Sequence, residues 1–209
     1  LGIDKVNGFL FDLGISSYQI DSEHRGFSYM KEGPLDMRFN PKGGKTAKDV
    51  LSEISETELM NILQTYAEIS QAGKIAKKII HERNKKNMNT TSDLKQAIFS
   101  ATNQNCSNKI LSRIFQAIRI LVNDEIQTFK KALVQTPDYL VAGGRVCVIS
   151  FHSIEDRIVK HFFKDSTIIN QYDYYDREKI QTTKTLNALT KKPIIASKKE
   201  ILSVIRMTW

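Results

Sequence analysis

The sequence predicts an α/β domain in which helices separate two strands of a parallel sheet. Two short apolar runs, residues 6–13 and 145–150, have the composition of buried strands. Between them, apolar residues recur with a helical period from residue 46 to about residue 135. Strands that alternate with helices favour a parallel sheet. The helices of residues 47–101 look like an insertion after the first strand.

The first strand ends in Asp12-Leu13-Gly14, and a loop follows from residue 15 to about residue 44. A loop of this length is uncommon inside a compact domain and is often functional. Within it, Asp36 and Arg38 can form a surface salt bridge with each other, or the arginine can contact phosphate. These two interpretations remain open at this point.

Several helices follow the loop. Ser55 and Glu58 match a capping box, and residues 74–86 form a basic helix with isoleucines on one face. Residues 90–93 can cap a helix over 94–101, a polar loop is predicted over 103–112, and a long amphipathic helix over 113–135.

The second strand is predicted after a turn at Gly143-Gly144 and is followed by a helix over residues 154–163, which Ser153 can cap. Residues 203–207 have the pattern of an edge strand. Residues 179–206 carry seven Lys and Arg against one acid. The element order is therefore strand, helical block, long helix, strand, helix and basic tail.

Chemistry is expected where the two strands end, because ligands of open α/β sheets bind outside the carboxyl ends of the strands. Asp12 can accept hydrogen bonds from an amine or ammonium there, or it can only cap the turn at Gly14. His152 is a candidate acid–base group or a structural turn histidine. Glu155 and Asp156 favour the helix dipole and need no further role.

Other site classes find little support in the sequence. The four histidines are scattered, the two cysteines have no zinc or disulfide spacing, and no glycine-rich phosphate loop occurs. No apolar run approaches the roughly 20 residues of a membrane-spanning helix. The net charge of +8 suits a nucleic acid or an anionic membrane surface, or reflects a bias toward lysine.

Several segments, in this order along the chain, resemble one bacterial enzyme family. They are residues 11–19 (FDLGISSYQ), 25–28 (RGFS), 33–38 (GPLDMR), 115–119 (FQAIR), 122–125 (VNDE) and 149–160 (ISFHSIEDRIVK). Together they are similar to the MraW (RsmH) family of 16S rRNA cytosine-N4 methyltransferases. The resemblance covers nearly the whole chain.

The resemblance implies a class I Rossmann-like methyltransferase fold with an inserted all-helical domain. Residues 1–44 and 113–209 would form the methyltransferase domain, and residues 45–112 would form the insertion. The sheet would be of the parallel type and incomplete, since its first strands would lie upstream of residue 1. The strand that ends at Asp12 would correspond to the family's fourth strand.

The resemblance also implies a function: transfer of a methyl group from S-adenosylmethionine to the N4 amine of a cytidine in the decoding region of small-subunit rRNA. Asp12 and Gln19 match positions that contact S-adenosylmethionine, and Asp12 and His152 are the candidate catalytic residues. Lys74, Lys77, Lys78 and Arg38 are candidate contacts to rRNA. No metal or membrane partner is expected. The expected location is the bacterial cytoplasm, with the mitochondrial matrix as the alternative.

The chain also departs from the family pattern. The family's glycine-rich cofactor loop would lie upstream of residue 1, so weak binding of S-adenosylmethionine is expected from this chain. Tyr18 replaces a usual proline, and the basic motif near the C-terminus is shortened. A non-catalytic module for RNA binding or ribosome assembly therefore remains the alternative function. Methylation of DNA or protein is disfavoured because the resemblance includes the insertion.

Overall fold

A computed structural model describes residues 2, 4–102, 104, 106–165, 186–190, 192–197 and 200. Within these residues the chain folds into a two-stranded parallel sheet and eight α-helices. The strands are β1 (Val6–Asp12) and β2 (Leu140–Ile149). The helices are α1 (Ser17–Asp21), α2 (Ala47–Glu53), α3 (Glu56–Tyr66), α4 (Ala72–Lys85), α5 (Thr91–Ala101), α6 (Asn108–Asn123), α7 (Glu125–Tyr139) and α8 (Ser153–Asp165). The predicted edge strand at 203–207 lies outside the described residues.

The predicted mixed α/β fold and the parallel pairing of β1 with β2 are confirmed. One face of the sheet packs on α7 and α8 through Phe11, Phe129, Leu133 and Phe162. On the other face the Leu10 side chain is exposed. This alternation follows from the period of two along a strand.

The turn predicted at Gly143-Gly144 is wrong, because both glycines lie inside β2. The strand therefore begins earlier than expected, at Leu140. The register shifts between the pairs Val6–Leu140 and Gly8–Arg145, so that β2 has more residues than β1 over this stretch, as at a bulge or a similar strand irregularity. Gly143 has φ +80°, a conformation that costs glycine little. The glycine pair thus bends a strand instead of ending one.

The largest hydrophobic core lies among α2 to α6. Its fully buried side chains include Leu51, Leu59, Leu63, Ile75, Ile79, Leu94, Ile98, Leu111, Ile114 and Ile118. Helix α3 packs on α4 and α6, and α4 packs on α5. Because α6 shares this core, its residues before and after position 112 belong to one packed unit; the domain boundary at 112 and the inserted domain stay predictions.

Capping boxes set the starts of four helices. The expected pair Ser55 and Glu58 is confirmed, and Thr90 and Asp93 form the same reciprocal arrangement at α5. Ser153 is not a cap, which corrects the prediction for α8. It lies within the first turn, and its hydroxyl donates to Glu68 Oε2 at 3.0 Å.

The long helix predicted over residues 113–135 is two helices. Asp124 has φ +47° and ends α6, and α7 begins at the next residue. Helix α6 also begins at Asn108, inside the predicted loop, where the Ser107 hydroxyl accepts from the Ile110 backbone N–H at 3.3 Å. The apolar period continues across the break, so the sequence pattern did not reveal it.

The long loop between α1 and α2 is anchored to the helical core. Met37 is fully buried, although its φ is +61°. Backbone bonds join the loop to the start of α5 and to the residues just before it. Leu35 N–H donates to Asn89 O at 2.9 Å, and Thr91 N–H donates to Gly33 O at 3.0 Å. Gly26 also has a positive φ, +67°, and a Cβ there would collide with the carbonyl of Pro34. These contacts make the loop part of the fold.

Asn123, the last residue of α6, joins this loop to the helices. Its Nδ2 donates to Met37 O at 2.7 Å, and its Oδ1 accepts from the Phe39 N–H at 2.7 Å. We expect Asn123→Ala to lower the free energy of unfolding by about 1–3 kcal/mol, because two backbone groups lose their partner. Urea unfolding measures this, with Asn61→Ala on the exposed face of α3 as the control. Equal losses of the free energy of unfolding in Asn123→Ala and Asn61→Ala would contradict this prediction.

Candidate functional site

The carboxyl ends of β1 and β2 lie side by side, as the sequence predicted. Asp12 is paired with Ile149, and Leu13 N–H donates to Ile149 O at 3.1 Å. Asp12 is exposed at this edge of the sheet. A Cβ built on Gly14 would lie 3.4 Å from the Phe151 ring. The turns after the two strands are therefore in contact.

A cavity of about 400 Å³ lies beside these turns, between the loop that follows α1 and one face of α6. Its lining is largely apolar and includes the aromatic residues Phe27, Tyr29, Phe115 and Phe151. The Tyr29 and Phe115 rings meet edge to face, with their centroids 5.9 Å apart. Its polar lining includes Gln116, Arg119 and His152. Asp12 does not line the cavity, whereas Gly14 does.

Arg119 in the cavity wall is held by a buried ion pair. Its Nε and Nη2 donate to the two oxygens of Glu125 at 2.7 and 2.9 Å, and the side chains are only 12% and 10% exposed. Burial raises the pKa of Glu125, and the hydrogen bonds from Arg119 oppose this change. The negative charge of Glu155 raises the pKa of Glu125 further. The pair joins the end of α6 to the start of α7.

His152 lies in the turn after β2, with Glu155 behind it. His152 Nε2 is buried and lies 3.1 Å from Glu155 Oε1, but the two atoms are not aligned as a hydrogen bond. The Glu155 N–H lies 3.5 Å from His152 Nδ1. Both ring nitrogens therefore face Glu155. His152 also lines the cavity, and its acid–base role stays a prediction.

Glu155 is buried, which separates it from an ordinary first-turn acid. Its Oε2 accepts from the Phe151 N–H at 2.8 Å. Burial alone would raise the pKa of Glu155, but the contacts from His152 and Phe151 outweigh burial and lower it. The neighbouring Asp156 is exposed and contacts the Ser150 hydroxyl. Interaction with the helix dipole therefore explains Asp156 at this position, but it does not explain the buried Glu155. This corrects the expectation that Glu155 needs no further role.

Gln19 and Arg38 already have partners within the chain. Gln19 Oε1 accepts from the Ser16 N–H at 3.0 Å in the capping box of α1. Arg38 donates to both oxygens of Asp36 at 2.8 Å, and these bonds lower the pKa of the aspartate. The salt bridge that the sequence allowed for Asp36 and Arg38 is therefore formed. A cofactor contact from Gln19 and a phosphate contact from Arg38 stay predictions.

The predicted basic helix is α4, and its lysines lie on the outer face. Lys74 and Lys77 are exposed, while Lys78 Nζ lies 2.8 Å from Glu82 Oε1. The opposite face buries Ile75 and Ile79. The geometry agrees with a surface for polyanions, and it agrees equally with a solvated helix face.

Sequence reasoning missed the roles of Arg119, which lines the cavity, and of Glu125 and Glu155, which contact lining residues from behind. Each lies in a segment that resembles the family, but the sequence assigned no role to Arg119 or Glu125 and only the helix dipole to Glu155. Arg119 stands between Ile118 and Ile120, which are both buried. A charged residue within a run of buried positions is the signal that could have identified it, since buried charges need partners.

The described part of the chain has no group of three or more His, Cys, Asp or Glu residues arranged to hold a metal ion. Among its helices none is both long and apolar enough to span a membrane. Cys106 and Cys147 are both free thiols.

Comparison with known proteins agrees with the resemblance seen in the sequence. The chain matches the MraW methylase family over residues 1–207. It is 45% identical over 212 residues to a ribosomal RNA small subunit methyltransferase H of Caldicellulosiruptor saccharolyticus, covering 96% of this chain and 66% of that protein. The enzyme of the same name from Caldicellulosiruptor bescii is 44% identical, with 97% and 67% covered. That from Methylococcus capsulatus is 47% identical over 162 residues, with 77% and 54% covered.

The chain thus spans about two thirds of the length of the first two of these relatives. The match to the family extends from the first strand through the helical core to the turn that carries His152 and beyond it. The chain therefore belongs to the MraW methylase family.

Proposed function

We propose that this chain belongs to a methyltransferase that uses S-adenosylmethionine to methylate the N4 amine of a cytidine in the decoding region of 16S rRNA. Its partner is the small ribosomal subunit, and its location is the bacterial cytoplasm. The names of its relatives support an rRNA substrate. The observation that carries the proposal is the exposed Asp12 carboxylate at a parallel strand end, next to an aromatic cavity.

The residues at the strand end suit a sulfonium cofactor. Asp12 is an exposed carboxylate with Gly14 two residues beyond it, and the adjoining cavity is largely apolar. We assign Asp12 and Gln19 to the cofactor. Asp12 would provide a negative charge for the sulfonium group. Gln19 would contribute its side-chain amide nitrogen, since its Oε1 already accepts from the Ser16 N–H. When bound, S-adenosylmethionine supplies an electrophilic methyl group.

Asp12 acts on the acceptor amine. The lone pair of cytosine N4 is delocalised into the ring, which makes the amine a weak nucleophile. A carboxylate that accepts an N–H bond orients the amine and stabilises the positive charge that develops as the nitrogen is methylated. In this proposal Asp12 makes that contact, and its placement at the end of β1, paired with Ile149 of β2, holds it in position.

The cavity receives the unstacked base. A volume of about 400 Å³ is within the range of small-molecule sites. An enzyme that modifies a base needs it single-stranded or extruded from its stack, and aromatic side chains then replace the lost stacking. Phe27, Tyr29 and Phe151 line the cavity, whereas Tyr18 is 83% exposed and does not. We therefore assign the base to the first three and not to Tyr18.

Methyl transfer itself tests the proposal. The complete gene product is incubated with S-adenosylmethionine labelled in its methyl group and with small ribosomal subunits that lack the modification. We expect label in N4-methylcytidine after digestion of the rRNA to nucleosides. Labelled methyl groups in naked DNA but not in rRNA would contradict the proposal that rRNA is the substrate. Binding of rRNA without any transfer would favour the non-catalytic RNA-binding module.

The lysines of α4 are proposed to hold the rRNA backbone. Replacing Lys74, Lys77 and Lys78 with alanine should weaken binding to all RNA sequences alike, because phosphate contacts carry no sequence information. The slope of log affinity against log salt should fall by roughly one unit for each phosphate that the variant no longer neutralises. Filter binding over a range of salt concentrations measures both.

The matched control removes the same charge from elsewhere on the surface, with Lys5, Lys42 and Lys131 replaced by alanine. All three are exposed and lie on different segments. If both triple variants lose affinity equally, the effect comes from net charge alone. If neither changes, the lysines of α4 are only a solvated face.

A further inference from the structure

Glu155 is a buried carboxylate at the start of α8, with only 4% of the residue exposed. An ionised group removed from water is costly unless it is paired and hydrogen-bonded. Acids in the first turn of a helix normally interact with the helix dipole from the surface. Asp156 does this, being exposed in the same turn. The burial of Glu155 therefore indicates a specific partner.

The partners of Glu155 are the two residues of the turn that line the cavity. Its Oε2 accepts from the Phe151 N–H at 2.8 Å, and its Oε1 lies 3.1 Å from His152 Nε2. Both Phe151 and His152 line the cavity, whereas Glu155 does not. The carboxylate thus accepts a hydrogen bond from the backbone of one wall residue and lies against the ring of the other from behind.

We propose that Glu155 is a positioning residue of this site, which keeps the Phe151 backbone and the His152 ring in the cavity wall before a ligand enters. The inference rests on the proposed function. Glu155 does not touch the ligand and acts only through the turn. A preformed cavity wall favours catalysis because small displacements of positioning groups lower the reaction rate strongly.

Two variants separate the contacts of Glu155 from its charge at the helix start. Glu155→Gln keeps the size of the side chain and one oxygen for the Phe151 N–H, but removes the negative charge beside His152. Asp156→Asn removes a charge from the same helical turn and leaves the contacts of Glu155 intact. A simple dipole effect would make the two variants alike.

The first measurement needs no activity and uses this chain as it is. Nitrogen NMR shifts of the His152 ring, assigned with a His152→Asn variant, report which ring nitrogen is protonated. We expect Glu155→Gln to move these shifts and Asp156→Asn to leave them unchanged. Identical His152 shifts in Glu155→Gln and the unaltered chain would overturn the proposal.

The second measurement is methyl transfer by the complete gene product. We expect Glu155→Gln to lower kcat on the order of 10-fold to 10²-fold, with KM for rRNA and the melting temperature changed little. An unchanged kcat, or a loss of kcat that only follows a loss of folded protein, would overturn the proposal. If the unaltered protein transfers no methyl group, the proposed function fails, and the NMR measurement still decides whether Glu155 holds the ring.

Discussion

Replacing Arg119 with leucine is expected to lower the free energy of unfolding by about 3–5 kcal/mol. The substitution leaves the Glu125 carboxylate buried without the two hydrogen bonds of 2.7 and 2.9 Å that it accepts from the guanidinium. Urea unfolding at neutral pH measures the loss. The matched control is Arg157→Leu, since Arg157 pairs with Glu68 at side-chain exposures of 57% and 34%. Exposed pairs of this kind contribute about 0–1 kcal/mol.

The double variant Arg119→Leu/Glu125→Met should recover most of the loss, because apolar residues of similar volume can replace a buried ion pair. If Arg119→Leu costs no more than Arg157→Leu, the pair is not buried as the structure shows. A double variant as unstable as the single one would mean that Arg119 stabilises the fold by packing and not by its charge.

The loss in Arg119→Leu should also depend on pH. The pKa of Glu125 is raised above its ordinary value of 4.5 in the folded chain, and Arg119 opposes that rise. Without Arg119 the folded pKa rises further, so the folded chain binds more protons than the unfolded chain above pH 4.5. Stability of the variant should therefore be highest below that pH and fall as the pH rises toward the folded pKa. A pH-independent loss would contradict this.

Asp12→Asn is expected to lower turnover on the order of 10²-fold, equivalent to about 3 kcal/mol of transition-state stabilisation. The amide keeps the shape of the side chain but loses its charge and much of its strength as an acceptor. Stability should change little, because the Asp12 side chain is exposed at the end of β1. The measurement is methyl transfer to small-subunit rRNA by the complete gene product, with thermal melting in parallel.

Asp138→Asn is the control for this experiment. Asp138 is also exposed, but it lies near the end of α7, just before β2 begins, and so at the opposite end of the sheet from Asp12. Near-normal turnover in Asp12→Asn would remove Asp12 from the site. A large fall in melting temperature would favour the alternative that Asp12 only caps the turn at Gly14.

The local sequence pattern was sufficient to predict the helices and strands whose signals lie within a few residues. The apolar run before Asp12 predicted β1, and Ser55 with Glu58 predicted the start of α3. The break at Asp124 was not predicted, because the apolar stripe continues from α6 into α7. Only the left-handed backbone conformation of Asp124 separates the two helices. Gly143-Gly144 was mistaken for a turn for a similar reason. A glycine pair suits a bulge as well as a turn, and only the partner strand decides between them.

The sequence by itself determined the α/β class, the parallel order of the strands and the expectation that Asp12 and His152 lie at one edge of the sheet. Those features depend on periodicity and on the geometry that all parallel strands share. Only the tertiary structure decided which charges are buried. Glu125 and Glu155 look like surface acids in the sequence, but the structure removes both from water. Glu125 pairs with Arg119 and interacts with the distant His152 and Glu155, and Glu155 lies against His152. Burial is a property of the packed chain, so the local pattern around these two acids did not specify it.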